Sequence, residues 1–267
     1  MKIAFIGGGN MAEAMISAIL NKNLASQEEI AVSDISVERL KYLSDRYGIT
    51  TAQNNRQVLF DRDCLVLAIK PQTFSIVAAE LRGHIQPSQM VISILAGKNI
   101  NTLSAGLEHR RIVRAMPNTP AQIGEGITIW TATPQVTGEQ KLLAASLLGV
   151  MGDQIYIEEE NFLDMATAVS GSGPAYIFLY IESMIAAAEQ LGFAHEIARK
   201  LVLQTITGSL HLLEKSGKTP EELRRMVTSP GGTTAEAISV FEQGNFKELI
   251  MQAVRAAYEK ARKLGNQ

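Results

Sequence analysis

The apolar residues in the first half of the chain form short runs, separated by segments with helical spacing. The runs are rich in Ile and Val and nearly continuous, as expected for parallel strands covered on both faces. They lie at residues 2–6, 30–33, 64–69, 90–94, 111–116, 126–131 and 154–157. Between them, apolar residues recur at helical spacing, as at Met11, Met15, Ile16 and Ile19. The alternation predicts an α/β domain with a doubly wound, Rossmann-type parallel sheet.

The pattern then changes, and the rest of the chain predicts helices only. One of these, at residues 174–191, is apolar on nearly all sides and must be buried against something. Ser172 or Gly173 is the predicted cap of this helix. We therefore expect two domains, residues 1–158 and residues 159–267, of which the second is all-α and joins two subunits into a homodimer.

Composition narrows the class of protein. Hydrophobic residues make up 46% of the 267 residues, which suffices for a core, and the net charge of −2 argues against nucleic-acid binding. Cys64 is the single cysteine, so no internal disulfide forms and a reducing compartment is expected. No apolar stretch is long enough for a membrane span, and glycines interrupt the first run, so we expect no signal peptide and a cytoplasmic protein.

The segment from Gly7 to Ala12 fits the pattern G-x-G-x-x-A between a strand and a helix. Gly7 permits the tight turn, Gly9 lets a pyrophosphate approach the backbone, and Ala12 allows close packing of helix and strand. The helix start then offers free N–H groups to phosphates. A structural glycine turn is the alternative, but the strand before and the amphipathic helix after favour dinucleotide binding.

Asp34 follows the second strand, 25 positions after Gly9. A carboxylate at this position accepts hydrogen bonds from the adenosine ribose 2′-hydroxyl and repels a 2′-phosphate, which favours NADH. Ser33, Ser36 and Arg39 lie nearby and suit NADPH instead. Asp34 as a simple cap of the next helix is a third interpretation. The predicted cofactor is therefore NADPH or NADH.

Three further loops follow strands, at the edge of the sheet where ligands bind in this fold. They are residues 68–71, 93–97 and 116–120. The main chain of the first loop and Lys70 are candidates to contact the nicotinamide ribose, with a solvated Lys70 as the alternative. In the third loop, Asn118 and the residue after it bring polar groups to a tip stiffened by prolines.

In the helical half, residues 228–236 predict an anion site. Thr233 and Glu236 have the spacing of a capping box. The two glycines before them leave backbone N–H groups bare, and the hydroxyls of Ser229, Thr233 and Thr234 crowd the same place. A purely structural cap does not require the preceding Ser-Pro-Gly-Gly. We predict a site sized for a carboxylate.

Taken together, these motifs resemble the pyrroline-5-carboxylate reductase family over nearly the whole chain. The motif at residues 229–234 is the most specific, because many oxidoreductases share the glycine loop. The matching segments are residues 5–11, 68–71, 114–120, 170–176 and 229–234.

The resemblance implies reduction of Δ1-pyrroline-5-carboxylate to L-proline, the last step of proline biosynthesis, by dimers that are able to assemble into a decamer. The implied cofactor contacts are Ile6, Gly7, Gly8, Gly9, Asn10, Met11, Asp34, Asn55, Ala68, Ile69, Lys70, Pro71 and Ala96. The implied substrate contacts are Glu160, Ser229, Gly232, Thr233 and Thr234. Family members often have a small neutral residue in place of Asp34, so the choice of nicotinamide stays open.

In the implied reaction, Thr234 is our candidate catalytic residue. Its hydroxyl hydrogen-bonds the imine nitrogen and orients it, while water is the ultimate proton source, because a threonine hydroxyl is a poor acid. No metal site is predicted, since the four histidines have no ligand spacing.

Two alternative functions remain. A β-hydroxyacid dehydrogenase also joins this cofactor fold to a helical domain, but such enzymes resemble one another in a catalytic lysine on the long helix. This chain has no lysine between Lys141 and Lys200. A non-enzymatic dinucleotide-binding protein would keep the glycine loop but would not need the hydroxyls of residues 229–234.

Overall fold

The computed structural model describes residues 1–265. Within them, eight strands form one sheet in the order β3-β2-β1-β4-β5-β6-β7-β8. The strands are β1 (Ile3–Ile6), β2 (Ile30–Ser33), β3 (Thr50–Ala52), β4 (Cys64–Leu67), β5 (Met90–Ser93), β6 (Ile112–Met116), β7 (Gly126–Ala132) and β8 (Gly152–Tyr156). The predicted α/β fold class is confirmed.

The pairing departs from the predicted sheet at two points. β6 and β7 are antiparallel, whereas every other neighbouring pair among the described strands is parallel. Residues 117–125, which join them, are too few for the crossover of a dozen or more residues that a parallel pair requires. The sequence also did not predict β3, because this edge strand is polar and only partly buried.

Helices on both faces explain why the central strands are buried. Alternate residues of β1 point to opposite faces, so that Ile3 and Phe5 pack in one apolar cluster and Ala4 and Ile6 in another. Each fully buried Ile or Phe stabilises the fold by about 1.5–3 kcal/mol. The first cluster contains residues of α1 (Asn10–Asn21), α2 (Val37–Tyr47) and α5 (Gly138–Gly149), and the second contains residues of α3 (Phe74–Leu81) and α4 (Ile100–Leu107).

After β8 the described chain is helical, as predicted; the last two residues lie outside the described part. The helices are α6 (Asn161–Ala166), α7 (Gly173–Gln190), α8 (His195–Ser216), α9 (Pro220–Met226), α10 (Thr233–Gln243) and α11 (Phe246–Gly265). Two compact units result: unit 1, residues 1–174 and 257 onward, and unit 2, Ala175–Ala256. These units group residues 159–174 with the sheet, unlike the predicted boundary at residue 158. A division of cofactor and substrate roles at that boundary stays a prediction.

Ser172, one of the two predicted caps, directly precedes α7, which begins at Gly173. A π-helical turn, Thr167–Gly171, follows α6, and the Ser172 N–H closes it by donating to the Thr167 carbonyl at 2.8 Å. Ser172 therefore ends this turn and stands directly before α7, where its role as a cap stays a prediction. Such turns occur frequently at functional sites.

The apolar helix α7 has no buried residue within the single chain. Ile177, Phe178 and Leu179 are all more than half exposed. The described chain therefore does not supply the burial that the sequence predicts for this helix. None of the helices in residues 1–265 is both long and apolar enough to cross a membrane.

Candidate functional site

In the glycine loop, Gly7 has no room for a side chain, whereas Gly9 has free space around it. Gly7 has φ +97°, and a Cβ there would lie 2.7 Å from the Ala68 carbonyl oxygen, so only glycine fits. A Cβ on Gly9 would have no atom within 4 Å. Gly9 is also the N-cap of α1, and no side chain caps this helix. The helix start is therefore open at Gly9, and pyrophosphate binding there stays a prediction.

A cavity of about 280 Å³ lies beside this loop. Residues of α1 and of the loops after β4, β5 and β6 line it, among them Met11, Ala68, Ile69, Ile94, Met116 and Pro117. Gly171, from the π-helical turn, lines it as well. Mostly apolar walls of this kind suit a nicotinamide ring.

Asn118 also lines this cavity, and one end of its amide is engaged elsewhere. It is buried, and its Oδ1 accepts a hydrogen bond from the Ile127 N–H at 3.0 Å. The side chain thus ties the loop after β6 to β7. Of the two polar residues predicted at the tip of this loop, only Thr119 is exposed.

Asp34 is tied to the glycine loop. Its Oδ2 accepts from the Gly8 N–H at 2.8 Å, and its Oδ1 accepts from the Ser36 N–H at 2.9 Å. The N-cap of α2 is Ser36, whose hydroxyl accepts from the Arg39 N–H. Asp34 as a helix cap is therefore wrong, and its carboxylate stands where the β2 strand meets the glycine loop.

The other predicted cofactor residues gather at the same edge of the sheet. Asn55 accepts a hydrogen bond from the Ser33 hydroxyl at 2.8 Å and donates to Glu80 at 2.7 Å. Lys70 is exposed where β4 leads into a short 3₁₀ turn. Ala96 lies in the loop after β5 and is half-buried. The fold brings these residues to the carboxyl ends of neighbouring strands.

Glu160, by contrast, belongs to an ion cluster around a buried arginine. Its Oε1 accepts from Arg114 Nη1 at 2.8 Å and from the Ile100 N–H at 2.7 Å. Arg114 is 4% exposed and also pairs with Asp164 at 2.7 Å. Sequence reasoning missed this cluster, although Arg114, a charged residue within the apolar run, was a signal. A substrate role for Glu160 stays a prediction.

The predicted anion site in unit 2 has a bare helix start. Gly232 is the N-cap of α10, and no side chain bonds to the cap. Thr233 is the first residue of the helix, so the predicted capping box with Glu236 is wrong. Gly231 has φ +68°, which favours glycine, and the Gly232 N–H donates to the Ser229 carbonyl at 3.0 Å. Thr234 is half-buried in the first turn.

The fit to known proteins covers both halves of the chain. Residues 2–97 match the family profile described as NADP oxidoreductase coenzyme F420-dependent, and residues 160–264 match the profile described as pyrroline-5-carboxylate reductase dimerisation. The chain is 38% identical to the pyrroline-5-carboxylate reductase of Pseudomonas aeruginosa, over 100% of this chain and 97% of that protein. The chain belongs to the pyrroline-5-carboxylate reductase family.

Solved structures of family members have the same fold. The pyrroline-5-carboxylate reductase of Coxiella burnetii is 38% identical, with a TM-score of 0.89 and 98% of each chain covered. The pyrroline carboxylate reductase of Plasmodium falciparum, solved with NADP bound, is 33% identical, with a TM-score of 0.91 over 99% of this chain and 98% of that one. The resemblance and the oxidoreductase class that the sequence predicts are confirmed, and the match to the dimerisation profile supports oligomerisation.

Proposed function

We propose that this chain reduces Δ1-pyrroline-5-carboxylate to L-proline with NADPH or NADH, the last step of proline biosynthesis, in the cytoplasm. The observation that carries the proposal is the bare, glycine-preceded start of α10. Many oxidoreductases have a glycine loop like that of α1, but an uncapped helix start that two glycines precede and hydroxyls flank suits a small carboxylate substrate.

The residues of unit 1 fit a dinucleotide. The uncapped start of α1 and the open position at Gly9 accommodate the pyrophosphate, and the apolar cavity accommodates the nicotinamide. When bound, the cofactor supplies the hydride. The proposed contacts are Ile6, Gly7, Gly8, Gly9, Asn10, Met11, Asp34, Asn55, Ala68, Ile69, Lys70, Pro71 and Ala96.

The residues of unit 2 hold the substrate. We assign the carboxylate to the N–H groups and hydroxyls at the start of α10, from Ser229, Gly232 and Thr233. The Thr234 hydroxyl orients the imine nitrogen, and water supplies the proton. Positioning of this kind lowers a barrier by about 7–11 kcal/mol at best. Glu160, a residue of unit 1, is the weakest of the proposed substrate contacts, because Arg114 and Ile100 already occupy its Oε1.

We propose that the helical unit joins two copies into a homodimer and that dimers assemble into a decamer. The exposed apolar side chains of α7 support the first step. A groove of about 680 Å³ in unit 2, with Phe241, Phe246 and Met251 in its lining, offers further apolar surface. Sedimentation at equilibrium distinguishes the two assemblies.

Initial rates of dinucleotide oxidation test the activity. We expect Δ1-pyrroline-5-carboxylate to accelerate oxidation of NADPH or NADH far above the rate without substrate. A panel of 3-hydroxy acids should not reduce the oxidised dinucleotides. Turnover of a hydroxy acid, with none of the imino acid, would replace the proposal with the β-hydroxyacid dehydrogenase alternative.

A further inference from the structure

Two side chains of opposite charge flank the peptide of Gly8. Its N–H donates to Asp34, and its carbonyl accepts from Nε of Arg39. In this class of fold, the segment after the second strand meets the adenosine ribose; a carboxylate there binds the 2′-hydroxyl of NADH, and a nearby arginine accommodates the 2′-phosphate of NADPH. The residues that distinguish the two cofactors are therefore close together at Gly8.

Arg39 is held in place by α1. Its Nη2 donates to Glu13, and its guanidinium lies over the Tyr42 ring, 5.0 Å from the centroid. Glu13 also accepts from the hydroxyls of Tyr42 and Tyr47, each at 2.9 Å. Partial burial raises the pKa of Glu13, but the hydrogen bonds from Arg39 and the two tyrosines outweigh it and lower that pKa below its usual value. Glu13 therefore stays ionised and keeps its hold on Arg39.

The other cations of α2 are engaged as well. Lys41 pairs with Asp45 at 2.6 Å, and Arg46 donates to the Tyr42 hydroxyl at 2.7 Å. Asp34 has no cation of α2 opposite it, because Arg39 is neutralised by Glu13. A phosphate arriving at this place would meet the charge of Asp34 with little compensation.

We propose that Glu13 sets the nicotinamide preference: by holding Arg39 against α1, it leaves Asp34 as the charge that the adenosine ribose meets, which favours NADH over NADPH. The inference rests on the proposed function and deepens it. Glu13 acts here as a positioning residue, through Arg39, and does not itself contact the cofactor.

Binding of each dinucleotide without substrate tests the proposal. Dissociation constants of NADH and NADPH are measured by fluorescence titration for the wild type, Glu13→Ala and the control Glu38→Ala. Glu38 is an exposed acid on the first turn of α2, so the control removes the same charge without releasing Arg39. We expect the wild type to bind NADH more tightly. Glu13→Ala should shift the ratio about tenfold towards NADPH, equivalent to about 1.4 kcal/mol, and the control should not.

A double variant separates release of Arg39 from a general loosening of the loop. Glu13→Ala with Arg39→Gln should lose the gain in NADPH affinity, while the melting temperature shows that each variant folds. If Glu13→Ala is unstable, Glu13→Gln replaces it in the binding measurements, because the amide oxygen still accepts hydrogen bonds from the tyrosines. The proposal is overturned if the wild type prefers NADPH, or if the ratio is the same in the Glu13 variants as in the control. Normal binding of both dinucleotides without turnover of the imino acid would instead count against the proposed function.

Discussion

Gly7 and Gly9 stand two positions apart, yet the structure gives them different roles. Gly7→Ala forces a Cβ against the Ala68 carbonyl in a left-handed conformation, so we expect a loss of stability of about 1–3 kcal/mol. Gly9 has φ −66° and free space, so Gly9→Ala should fold normally but bind dinucleotide at least tenfold more weakly, because the methyl group obstructs the pyrophosphate. Urea denaturation and dinucleotide titration check the pair. Wild-type affinity in Gly9→Ala would contradict the assignment of the loop.

Thr234 is the residue whose loss should affect the reaction and not cofactor binding. Thr234→Ala removes the hydroxyl that we propose orients the imine nitrogen, so turnover should fall by about 10²-fold, typical for a positioned catalytic group. The dissociation constant of the dinucleotide should stay near the wild-type value. Thr234→Ser keeps the hydroxyl and should retain most of the turnover. Unchanged turnover in Thr234→Ala would remove this residue from the mechanism.

His109 makes stability depend on pH. Burial lowers the pKa of its imidazole from the usual 6.5, and the hydrogen bond to the Gln89 carbonyl offsets this only in part. Below pH 6.5 the unfolded chain binds the proton more readily than the folded chain, so stability falls as the pH drops below that value. Between pH 7 and pH 5, the free energy of unfolding should fall less for His109→Gln than for the wild type. The exposed His84→Gln is the control, and equal losses in all three would contradict this account.

At the scale of elements, the Arg114 cluster joins β6 to α6 and to the start of α4. Arg114→Met leaves Glu160 and Asp164 without their cation and should cost about 2–3 kcal/mol. This is less than the roughly 3–5 kcal/mol of fully buried pairs, because both carboxylates are partly exposed. Arg110→Met, an exposed neighbour, should change stability by less than about 0.5 kcal/mol. Equal effects of the two substitutions on urea denaturation would show that the cluster is not stabilising.

The strands that are buried on both faces were predictable from the sequence, because burial alone determines their composition. β1, β2, β4 and β5 are buried on both faces, and their apolar runs are correspondingly continuous. β3 is short, polar and at the edge, so its pairing with β2 rather than its own composition determines it. The capping box at Thr233 was mispredicted because the spacing of cap residues does not specify where the first turn of a helix closes.

The candidate site was predictable only where its contacts are local in sequence. The glycine loop is local in sequence, so its turn and helix start follow from a few residues. The contacts of Glu13 and Glu160 join segments 26 and 46 residues apart, to Arg39 and Arg114, and no local pattern encodes them. Their charges were visible in the sequence, but their partners depend on how the helices pack on the sheet.

At the scale of the whole molecule, the exposed face of α7 is the main feature that one chain leaves unexplained. Phe178→Glu places a charge in the proposed contact between subunits, where burial of a charge is costly, so the dimer should dissociate at micromolar concentration. Leu142→Glu, at an even more exposed leucine of α5 in unit 1, should leave the assembly unchanged. Equilibrium sedimentation measures both. A dimer of unchanged stability in Phe178→Glu would place the contact elsewhere.

The stoichiometry of the reaction tests the central claim most directly. The enzyme is given Δ1-pyrroline-5-carboxylate with a limiting amount of NADH or NADPH, and the dinucleotide oxidised and the proline formed are quantified, the latter by chiral amino-acid analysis. One L-proline should form for each dinucleotide oxidised. Oxidation without L-proline, or no oxidation of either dinucleotide, would contradict the account.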